Sequence, residues 1–249
     1  MTSWFKYIRG ELIGSGGFGN IYRYKKTFNV CECLSSSNII GSFFDTNTMP
    51  IVGKVIPNVY LDSINREIDA MRKLDGVKGV VPLLDVIRDS ENTTLIMPEY
   101  KQDLFTYITE DEYKIHDEDF TLYVIQTLKE IIFECHKKGV LHLDIKPENI
   151  MINDKKELVI IDFGSSFITP NGYRGTLNKI FIPHACGSET YSPPETKGYP
   201  AIISGKTDYW GINAVGFVVY YLIPPQPLPQ NLKLPQILII RDIFKKLNE

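Results

Sequence analysis

The residues with the clearest chemical potential lie in one short block near the middle of the chain. The block reads Leu141-His142-Leu143-Asp144-Ile145-Lys146-Pro147-Glu148-Asn149-Ile150. In it, Asp144 could accept the proton of a hydroxyl group, Asn149 could bind a magnesium ion, and Lys146 could stabilise the charge of a phosphoryl group in transfer. Phosphoryl transfer depends mainly on positioning and electrostatic stabilisation, which these groups would supply. Because a chance occurrence of this spacing is improbable, the block predicts a centre that activates a hydroxyl group.

A second candidate metal ligand is Asp162, which follows an apolar run in Ile161-Asp162-Phe163-Gly164. Carboxylate and amide oxygens are the hard ligands that magnesium prefers. Asp-Phe-Gly alone could be a turn that ends a strand. Here it follows Asn149 by the length of one small β-hairpin, so we predict that Asn149 and Asp162 are metal ligands.

A glycine-rich segment near the start of the chain could hold phosphate groups. It contains Gly14, Ser15, Gly16, Gly17, Phe18, Gly19 and Ile21. Glycine lets backbone amides approach phosphate oxygens because no Cβ is in the way. The pattern alone is equally compatible with a simple hairpin turn. The residues that follow have a strand pattern, whereas a dinucleotide-binding loop would open a helix.

Lys54 lies in the middle of the apolar segment 51–56, where an unpaired ammonium group would be costly. Glu67 is its natural partner because it shares a predicted helix face with Ile64, Ile68 and Met71. Such a pair would hold the ammonium group toward ATP phosphates. The alternative is a lysine exposed on an edge strand and an unrelated surface glutamate, and without the other motifs it would be preferred.

The elements that must position these residues change in character after Met97. Before it we predict strands at 5–26 around the glycine-rich turn, a loop insertion at 27–49, a strand at 51–56, a helix capped by Asp62 or Ser63 and ended by Gly76, and strands at 80–88 and 93–97. After it we predict helices at 104–109, 120–138, 207–222 and 236–247, a β-hairpin around 153–154 and an irregular stretch from 164 to about 205. The fold class is therefore α+β, with a β-rich first lobe (1–97) and a mainly helical second lobe (98–249).

Composition narrows the choice of partners and compartment. The chain has 249 residues and a formal net charge of −3, without the basic excess expected for binding to nucleic acid or an anionic membrane. The longest apolar run, 210–223, is shorter than the ~18 residues that suggest a membrane span. The four cysteines form no disulfide framework, which indicates a reducing compartment, the cytoplasm or nucleus. Cys31-x-Cys33 could be half of a metal site, but further ligands are absent nearby.

Together these residues resemble the eukaryotic protein kinases. The resemblance covers residues 5 to about 222 and includes Pro193-Pro194-Glu195 and 208–211. The chain is most similar to the Pim kinases of the calmodulin-kinase group, in the stretches 14–19, 102–105, 108–110, 139–142 and 191–195. The resemblance implies a bilobal fold, ATP and Mg²⁺ as nucleotide and metal, and a protein substrate phosphorylated on serine or threonine.

The resemblance also assigns roles to individual residues. It makes Asp144 and Lys146 catalytic, together with the Lys54–Glu67 pair. It adds Val52, Met97, Glu99 and Met151 to the glycine-rich segment as nucleotide-binding residues. The preference for serine or threonine rests on Lys146-Pro147-Glu148-Asn149 and on Cys186-Gly187-Ser188, whose serine would contact Asp144 and Lys146.

Two departures from the family pattern carry expectations. Leu143 replaces the usual arginine before the catalytic aspartate, so it cannot pair with a phosphate on the activation loop. We therefore expect activity without phosphorylation at Thr169, Tyr173 or Thr176. The second lobe looks shortened compared with the family pattern, with Arg241 as the candidate partner of Glu195. This suggests a virus-encoded enzyme acting in a host cell.

Two other functions share many of these features. A pseudokinase would use the same fold as a binding or scaffold module, although its expected signature is the loss of residues such as Lys54, Asp144 or Asp162. A kinase-like phosphotransferase for small molecules would share the spaced aspartate and asparagine, but generally lacks such a glycine-rich segment. The protein substrate and the oligomeric state are not specified by the sequence.

Overall fold

The structure, a computed structural model, describes residues 5–16, 19–28, 49–110, 117–169 and 179–222. The chain divides into two compact units. Unit 1 comprises Met1–Ile64 and Pro82–Glu99, and unit 2 comprises Asn65–Val81 and Tyr100–Glu249. The predicted boundary at residue 97 stays a prediction. Residues 65–81 group with unit 2, where the Val81 N–H donates to the carbonyl of Ile160 at 3.0 Å.

Several predicted features lie outside the described residues. These are Gly17 and Phe18, most of the loop insertion, Cys31 and Cys33, Tyr173 and Thr176, the helix at 236–247, and Arg241. In the part of the chain that is described, no helix has both the length and the apolar character that crossing a membrane requires.

Unit 1 is built on a five-stranded antiparallel sheet. Its strands are β1 (Phe5–Gly16), β2 (Gly19–Phe28), β3 (Ile51–Pro57), β4 (Asp85–Arg88) and β5 (Asn92–Pro98). They are arranged in the order β1-β2-β3-β5-β4. Lys54 pairs with Ile21 on one side and Leu95 on the other, so it lies on a central strand and is 9% exposed. This position excludes the edge-strand alternative for Lys54.

The glycine beside Lys54 is required by packing within this sheet. A Cβ at Gly53 would lie 2.4 Å from Cε2 of Tyr24 and 2.8 Å from Cγ2 of Thr94. Real Cβ atoms do not approach other atoms so closely, because interiors are already close-packed. The sheet around Lys54 is therefore tightly packed on the face that Tyr24 covers.

The helix α1 (Leu61–Lys73) begins directly after a 3₁₀ turn at Asn58–Tyr60. The predicted N-cap at Asp62 or Ser63 is wrong, because both residues lie inside the first helical turn. The 3₁₀ turn passes straight into the helix and places its start earlier than a capping side chain would indicate.

The rest of α1 agrees with the sequence pattern. Its predicted apolar stripe is buried, with Ile64, Ile68, Met71 and Leu74 each at most 2% exposed. Glu67 lies among them and is 3% exposed. Beyond the end of the helix, Gly76 has a φ of 78°, the left-handed conformation that favours glycine.

The strand predicted at 80–88 is wrong over its first half. The regular strand β4 begins only at Asp85, and Val80 instead forms an isolated parallel bridge with Ile160 in unit 2. Pro82 lies between the two segments and has no N–H to donate to a ladder. The segment 80–88 is therefore divided between the bridge to Ile160 and the strand β4.

Within the described residues, unit 2 contains most of the helices together with three small sheets. After α1, its elements are β6 (Gln102–Asp103), α2 (Leu104–Thr109), α3 (Glu118–Lys137), β7 (Val140–Leu141), β8 (Ile150–Ile152), β9 (Leu158–Ile160), β10 (Phe167–Ile168), β11 (Ile180–Ile182), β12 (Ala201–Ile203) and α4 (Gly205–Tyr221). The sheets are β6-β8-β9, β7-β10 and β11-β12. The stretch predicted as irregular thus contains three strands, each too short to show a period of two.

The two long helices of unit 2 start and end near their predicted positions. Asp117 caps α3 by accepting from the Phe120 N–H at 2.9 Å. Ser204 caps α4 in a capping box with Thr207. The helices pack against each other.

Two glycines of α4 mark close approaches to its neighbours. A Cβ at Gly211 would lie 2.9 Å from Cβ and 3.0 Å from the carbonyl oxygen of Ile145, which belongs to the catalytic block. A Cβ at Gly216 would lie 2.4 Å from Cδ1 of Ile125 on α3. The atoms close to Gly211 include the backbone of Ile145, which cannot easily move. The atom close to Gly216 is the end of the Ile125 side chain, which can rotate away.

We expect Gly211→Ala to lower the free energy of unfolding by about 1–3 kcal/mol, because the added methyl group overpacks the loop at Ile145. Gly216→Ala is the matched control, since it gains the same helix propensity but displaces only the Ile125 side chain. It should therefore lose less stability. Urea denaturation followed by circular dichroism measures both changes, and equal losses would contradict this reading of the packing.

Candidate active site

The catalytic block begins where α3 ends. Gly139 has a φ of 74° and its N–H donates to the His136 carbonyl at 2.7 Å, which terminates the helix. The chain then forms β7 and enters the loop at His142. Within that loop Leu143 has a φ of 67°, an uncommon conformation for a residue with a branched side chain.

A buried carboxylate holds this loop by its backbone. Asp208, from α4, accepts the N–H of Leu143 at 2.7 Å through one oxygen and the N–H of His142 at 2.9 Å through the other. The second oxygen also lies 2.7 Å from Nε2 of His136. Burial alone would raise the pKa of Asp208, but the hydrogen bond and charge of His136 outweigh it, so the pKa is lowered.

The Leu143 side chain is fixed by apolar packing on the other side of the loop. It belongs to a cluster comprising Leu141, Leu143, Ile182, Ala201 and Ile203, against which Phe167, Ile180 and Cys186 pack. Most of these residues come from β7 and from the β11-β12 pair. The loop is therefore held by polar contacts to its backbone and by apolar contacts to Leu143.

His142 links the catalytic block to the segment that carries Asp162. Its Nδ1 lies 3.2 Å from the Asp144 N–H and accepts from it, while Nε2 lies 3.0 Å from the Ile161 carbonyl. These partners fix a tautomer that has its proton on Nε2. The Phe163 ring, which is fully buried, contacts the imidazole edge-on at a centroid distance of 4.8 Å.

Asp144 lies at the centre of a compact polar cluster. One carboxylate oxygen accepts from the N–H of Ser188 at 2.9 Å and from its hydroxyl at 2.7 Å. The other lies 3.0 Å from Nζ of Lys146 and 3.1 Å from the side-chain amide nitrogen of Asn149. Nζ of Lys146 also donates to the Ser188 hydroxyl at 3.0 Å. The predicted contacts of Ser188 with Asp144 and Lys146 are thus confirmed.

These contacts determine the charge of the carboxylate. Burial would raise the pKa of Asp144, but the hydrogen bond from Ser188 and the positive charge of Lys146 lower it below its ordinary value. Asp144 is therefore ionised at neutral pH. Its side chain remains 13% exposed, so part of it contacts solvent.

The two predicted metal ligands offer oxygen atoms of the appropriate kind. The amide nitrogen of Asn149 donates to Asp144, so the amide oxygen is the side-chain atom of Asn149 that could bind a cation. Asp162 has a φ of 62° and one of its oxygens accepts from the Gly164 N–H at 3.2 Å. Arg66 of α1 donates to the carbonyl of Gly164 at 3.4 Å.

This donor set fits magnesium held partly by a nucleotide. Across the described ranges, no group of three or more His, Cys, Asp or Glu residues could hold a metal ion unaided. Mg²⁺ commonly uses one or two protein ligands, with phosphate oxygens and water completing its shell. Asn149 and Asp162 match that requirement.

Unit 1 carries the predicted phosphate-binding and adenine-binding residues. Gly14, Ser15, Gly16 and Gly19 form the ends of β1 and β2 around their turn. A Cβ at Gly19 would lie 2.5 Å from the Val55 carbonyl oxygen, so the backbone requires glycine there. Val52 and Met97 are paired in register on β3 and β5, and both are buried.

Two further nucleotide-binding predictions concern Glu99 in unit 1 and Met151 in unit 2. Glu99 donates its N–H to the Pro50 carbonyl at 2.8 Å, and its carboxylate accepts from Arg23 at 2.8 Å, so its polar groups already have partners within unit 1. Met151 lies on β8 in unit 2, where it is partly exposed and pairs with Asp103 and Val159. Both roles stay predictions, as does the pairing of Lys54 with Glu67.

Two residues with roles at this centre were not identified from the sequence. Asp208 lies in the stretch 208–211 that shares the family resemblance, but no other feature of the sequence indicates that it binds the backbone of the catalytic loop. Lys197 donates to the carbonyls of Cys186 and Gly187 at 3.3 and 3.0 Å. The sequence around a lysine in a polar loop looks the same whether its ammonium group is solvated or bound to backbone carbonyls, so these contacts could not be predicted.

We expect Asp208→Asn to lower the free energy of unfolding by about 3–5 kcal/mol, because the amide cannot accept from all three donors and leaves a buried pair broken. The folded-state pKa of Asp208 is lowered, so the carboxylate stabilises the fold above about pH 3.9, and this contribution disappears as the pH falls through the folded-state pKa. Urea denaturation at several pH values should show the difference from wild type shrinking in acid.

Asp154→Asn is the matched control for this change. Asp154 forms an ion pair with Lys101 but its side chain is 82% exposed, so the free energy of unfolding should be nearly unchanged. A similar loss in both variants would contradict the assignment of Asp208 as the anchor of the loop.

Comparison with known proteins supports the interpretation of this centre. Relatives include the "Probable serine/threonine-protein kinase MARK-C" of Dictyostelium discoideum, 30% identical over 217 residues, which are 86% of this chain and 25% of that protein. The "Serine/threonine-protein kinase pim-2" of Danio rerio is 30% identical over 196 residues, 76% of this chain and 59% of the relative. "CBL-interacting protein kinase 2" of Oryza sativa subsp. japonica is 27% identical over 86% of this chain and 44% of the relative.

The chain thus spans between a quarter and three-fifths of the length of these three relatives. A family model described as "Protein kinase domain" matches residues 7–247, which extends beyond residue 222, where the resemblance based on motifs ended. The match includes the catalytic block, the Asp162 segment and Asp208. The chain therefore belongs to the protein kinase domain family.

Proposed function

We propose that this chain is a protein kinase that transfers the γ-phosphate of ATP to a serine or threonine hydroxyl of a protein. The observation that carries the proposal is the Asp144 carboxylate, which contacts Lys146, Asn149 and Ser188 and has a lowered pKa. An ionised acceptor beside an ammonium group is the arrangement that phosphoryl transfer to a hydroxyl requires.

The chain's own groups would act on the hydroxyl in the following way. Asp144 accepts a hydrogen bond from the hydroxyl, orients its oxygen toward the γ-phosphorus, and receives its proton as the new P–O bond forms. The bond from the γ-phosphorus to the bridging oxygen breaks, and ADP leaves with that electron pair. Lys146 offsets the charge on the phosphoryl oxygens. Asn149 and Asp162 would hold a magnesium ion, whose positive charge would offset part of the phosphate charge.

Unit 1 would supply the remaining contacts to the nucleotide. In this proposal the backbone around Gly14–Gly19 binds phosphate, Lys54 paired with Glu67 binds phosphate oxygens, and Val52 and Met97 contact the adenine. The burial of Lys54 on a central strand supports this role, because a buried ammonium group requires an anionic partner.

The preference for serine or threonine is supported by the names of the relatives, several of which are serine/threonine kinases. A closer kinship with the Pim kinases is supported by the 30% identity to pim-2 of Danio rerio, and we propose it on that basis. The cysteine pattern supports action in a reducing compartment, the cytoplasm or nucleus.

The decisive experiment incubates the purified chain with labelled ATP, Mg²⁺ and a peptide library. We expect label on serine- or threonine-containing peptides, and a fall in kcat of about 10²–10⁴-fold in Asp144→Asn, with binding of Mg-ATP retained. Asp154→Asn, which changes an exposed aspartate in the same way, should retain wild-type kcat.

Other outcomes would favour the competing functions. Binding of Mg-ATP without transfer to any peptide would identify a pseudokinase and overturn the proposal. Transfer to small molecules but not to peptides would identify a small-molecule phosphotransferase. Equal rates in wild type and Asp144→Asn would show that Asp144 is not the hydroxyl-activating group.

We further propose that activity does not depend on phosphorylation of the activation loop. Leu143 occupies an apolar cluster with Ile182 and Ile203, where a phosphate would have no cationic partner from this position. The Thr169 hydroxyl is buried and donates to the Gly139 carbonyl at 3.1 Å, so it is not exposed to a modifying enzyme.

We therefore expect phosphatase treatment to change kcat by less than about two-fold. Replacing Thr169, Tyr173 or Thr176 by a residue without a hydroxyl group should likewise leave the chain active without phosphorylation. Mass spectrometry should verify that the treated protein carries no phosphate. A large rate gain that follows phosphorylation at any of these three sites would refute the proposal.

A further inference from the structure

We infer that Lys197 is a positioning residue that holds the backbone before Ser188 and thereby directs Ser188 onto Asp144. The inference rests on the proposed function for its kinetic consequence, but its geometric part can be measured without catalysis. Lys197 ends a 3₁₀ turn at Pro194–Lys197. In the chain, this turn follows residues 186–188, which are proposed to face the substrate and are called the substrate-facing segment here.

The ammonium group of Lys197 binds two consecutive carbonyl oxygens. Its Nζ donates to the Cys186 carbonyl at 3.3 Å and to the Gly187 carbonyl at 3.0 Å. The Lys197 side chain is partly buried, so these charge-assisted hydrogen bonds are less exposed to water than a surface contact would be. The two carbonyls belong to the residues immediately before Ser188.

The same segment is closed by a backbone contact. The Cys186 N–H donates to the Thr196 carbonyl at 3.2 Å, next to Lys197 in the chain. Residues 186–197 therefore form a loop whose two ends are joined by one backbone bond and by the Lys197 side chain. Without the side chain, one bond at 3.2 Å would join the ends.

The backbone at Gly187 has little room to adjust by itself. Its φ is 71°, and a Cβ there would lie 2.2 Å from the Ser192 hydroxyl and 2.6 Å from the Leu143 carbonyl oxygen. Close packing therefore limits the directions in which the Gly187 carbonyl can point, and Lys197 donates a hydrogen bond to that carbonyl. A shift at this point moves the Ser188 N–H, which donates to Asp144 at 2.9 Å.

Two lysines thus act on Ser188 in different ways. Lys146 contacts the Ser188 hydroxyl at 3.0 Å and also contacts Asp144, so it belongs to the catalytic centre. Lys197 contacts only the preceding backbone among these groups and would fix the direction of the Ser188 N–H. Its loss should disturb the orientation of Asp144 toward a protein hydroxyl, while the residues proposed to bind ATP stay in place.

The kinetic test compares Lys197→Met, which keeps the length of the side chain but removes its donors, with Lys197→Arg, which keeps them. We expect Lys197→Met to lower kcat/KM for a peptide by about 10–100-fold, since small misplacements in a catalytic site have effects of this size. The KM for ATP should change by less than about two-fold. Lys197→Arg should recover most of the rate.

Lys206→Met is the matched control, because it removes an exposed ammonium group from the start of α4. It should leave kcat/KM unchanged. Wild-type kinetics in Lys197→Met would overturn the inference while leaving the proposed function intact. An equal loss in Lys197→Met and Lys206→Met would show a general effect of charge and would also overturn it.

The geometric test measures hydrogen exchange of the Ser188 amide, which does not require activity. We expect faster exchange in Lys197→Met than in wild type, with Lys197→Arg and Lys206→Met resembling wild type. Unchanged exchange in Lys197→Met would overturn the inference whether or not the chain phosphorylates peptides. If the wild-type chain lacks transfer but the exchange pattern is as expected, the proposed function fails and the positioning role of Lys197 stands.

Discussion

The catalytic loop depends on one buried carboxylate. Asp208 accepts the backbone N–H groups of His142 and Leu143, and its position is fixed in turn by His136. Leu143 has a left-handed φ of 67°, which costs of the order of 1–3 kcal/mol and persists only where the surroundings enforce it. Because Asp144 follows directly, the backbone from which its side chain projects is held by contacts that Asp144 does not itself make.

The centre built on this loop is a shared network. Ser188 bonds to Asp144 with both its N–H and its hydroxyl, and Lys146 contacts both residues, so a displacement of any one affects the other two. Such networks have effects that single deletions do not partition cleanly. The network also explains the ionisation of Asp144, since its donors outweigh a burial that would otherwise favour the protonated form. Positioning and charge are thus consequences of the same contacts.

The sequence predicted the features that local patterns determine. The long helices α3 and α4, the strand carrying Lys54 and the contacts of Ser188 all follow from periodicity or from a family motif. Sequence periodicity did not predict the elements whose positions are set by tertiary packing. Strands β10 to β12 are two or three residues long and show no period, Pro82 divides a run that looks continuous, and α1 begins directly after a 3₁₀ turn. The sequence does not indicate the contacts of Lys197, because its partners are backbone carbonyls, which every residue has.

The apolar docking of Leu143 has a consequence for how activity and stability are related. A phosphate that orders a segment through an arginine adds a contact after folding, so activity can change while the fold does not. Leu143 is 3% exposed within a cluster shared with β11 and β12, and burying such a side chain contributes about 1.5–3 kcal/mol to folding itself. Cys186 of the substrate-facing segment packs against this cluster, so the contacts that order the segment also contribute to the stability of unit 2. A substitution that loosens this cluster should therefore weaken the fold and the catalytic geometry together, whereas one at Lys197 should separate them.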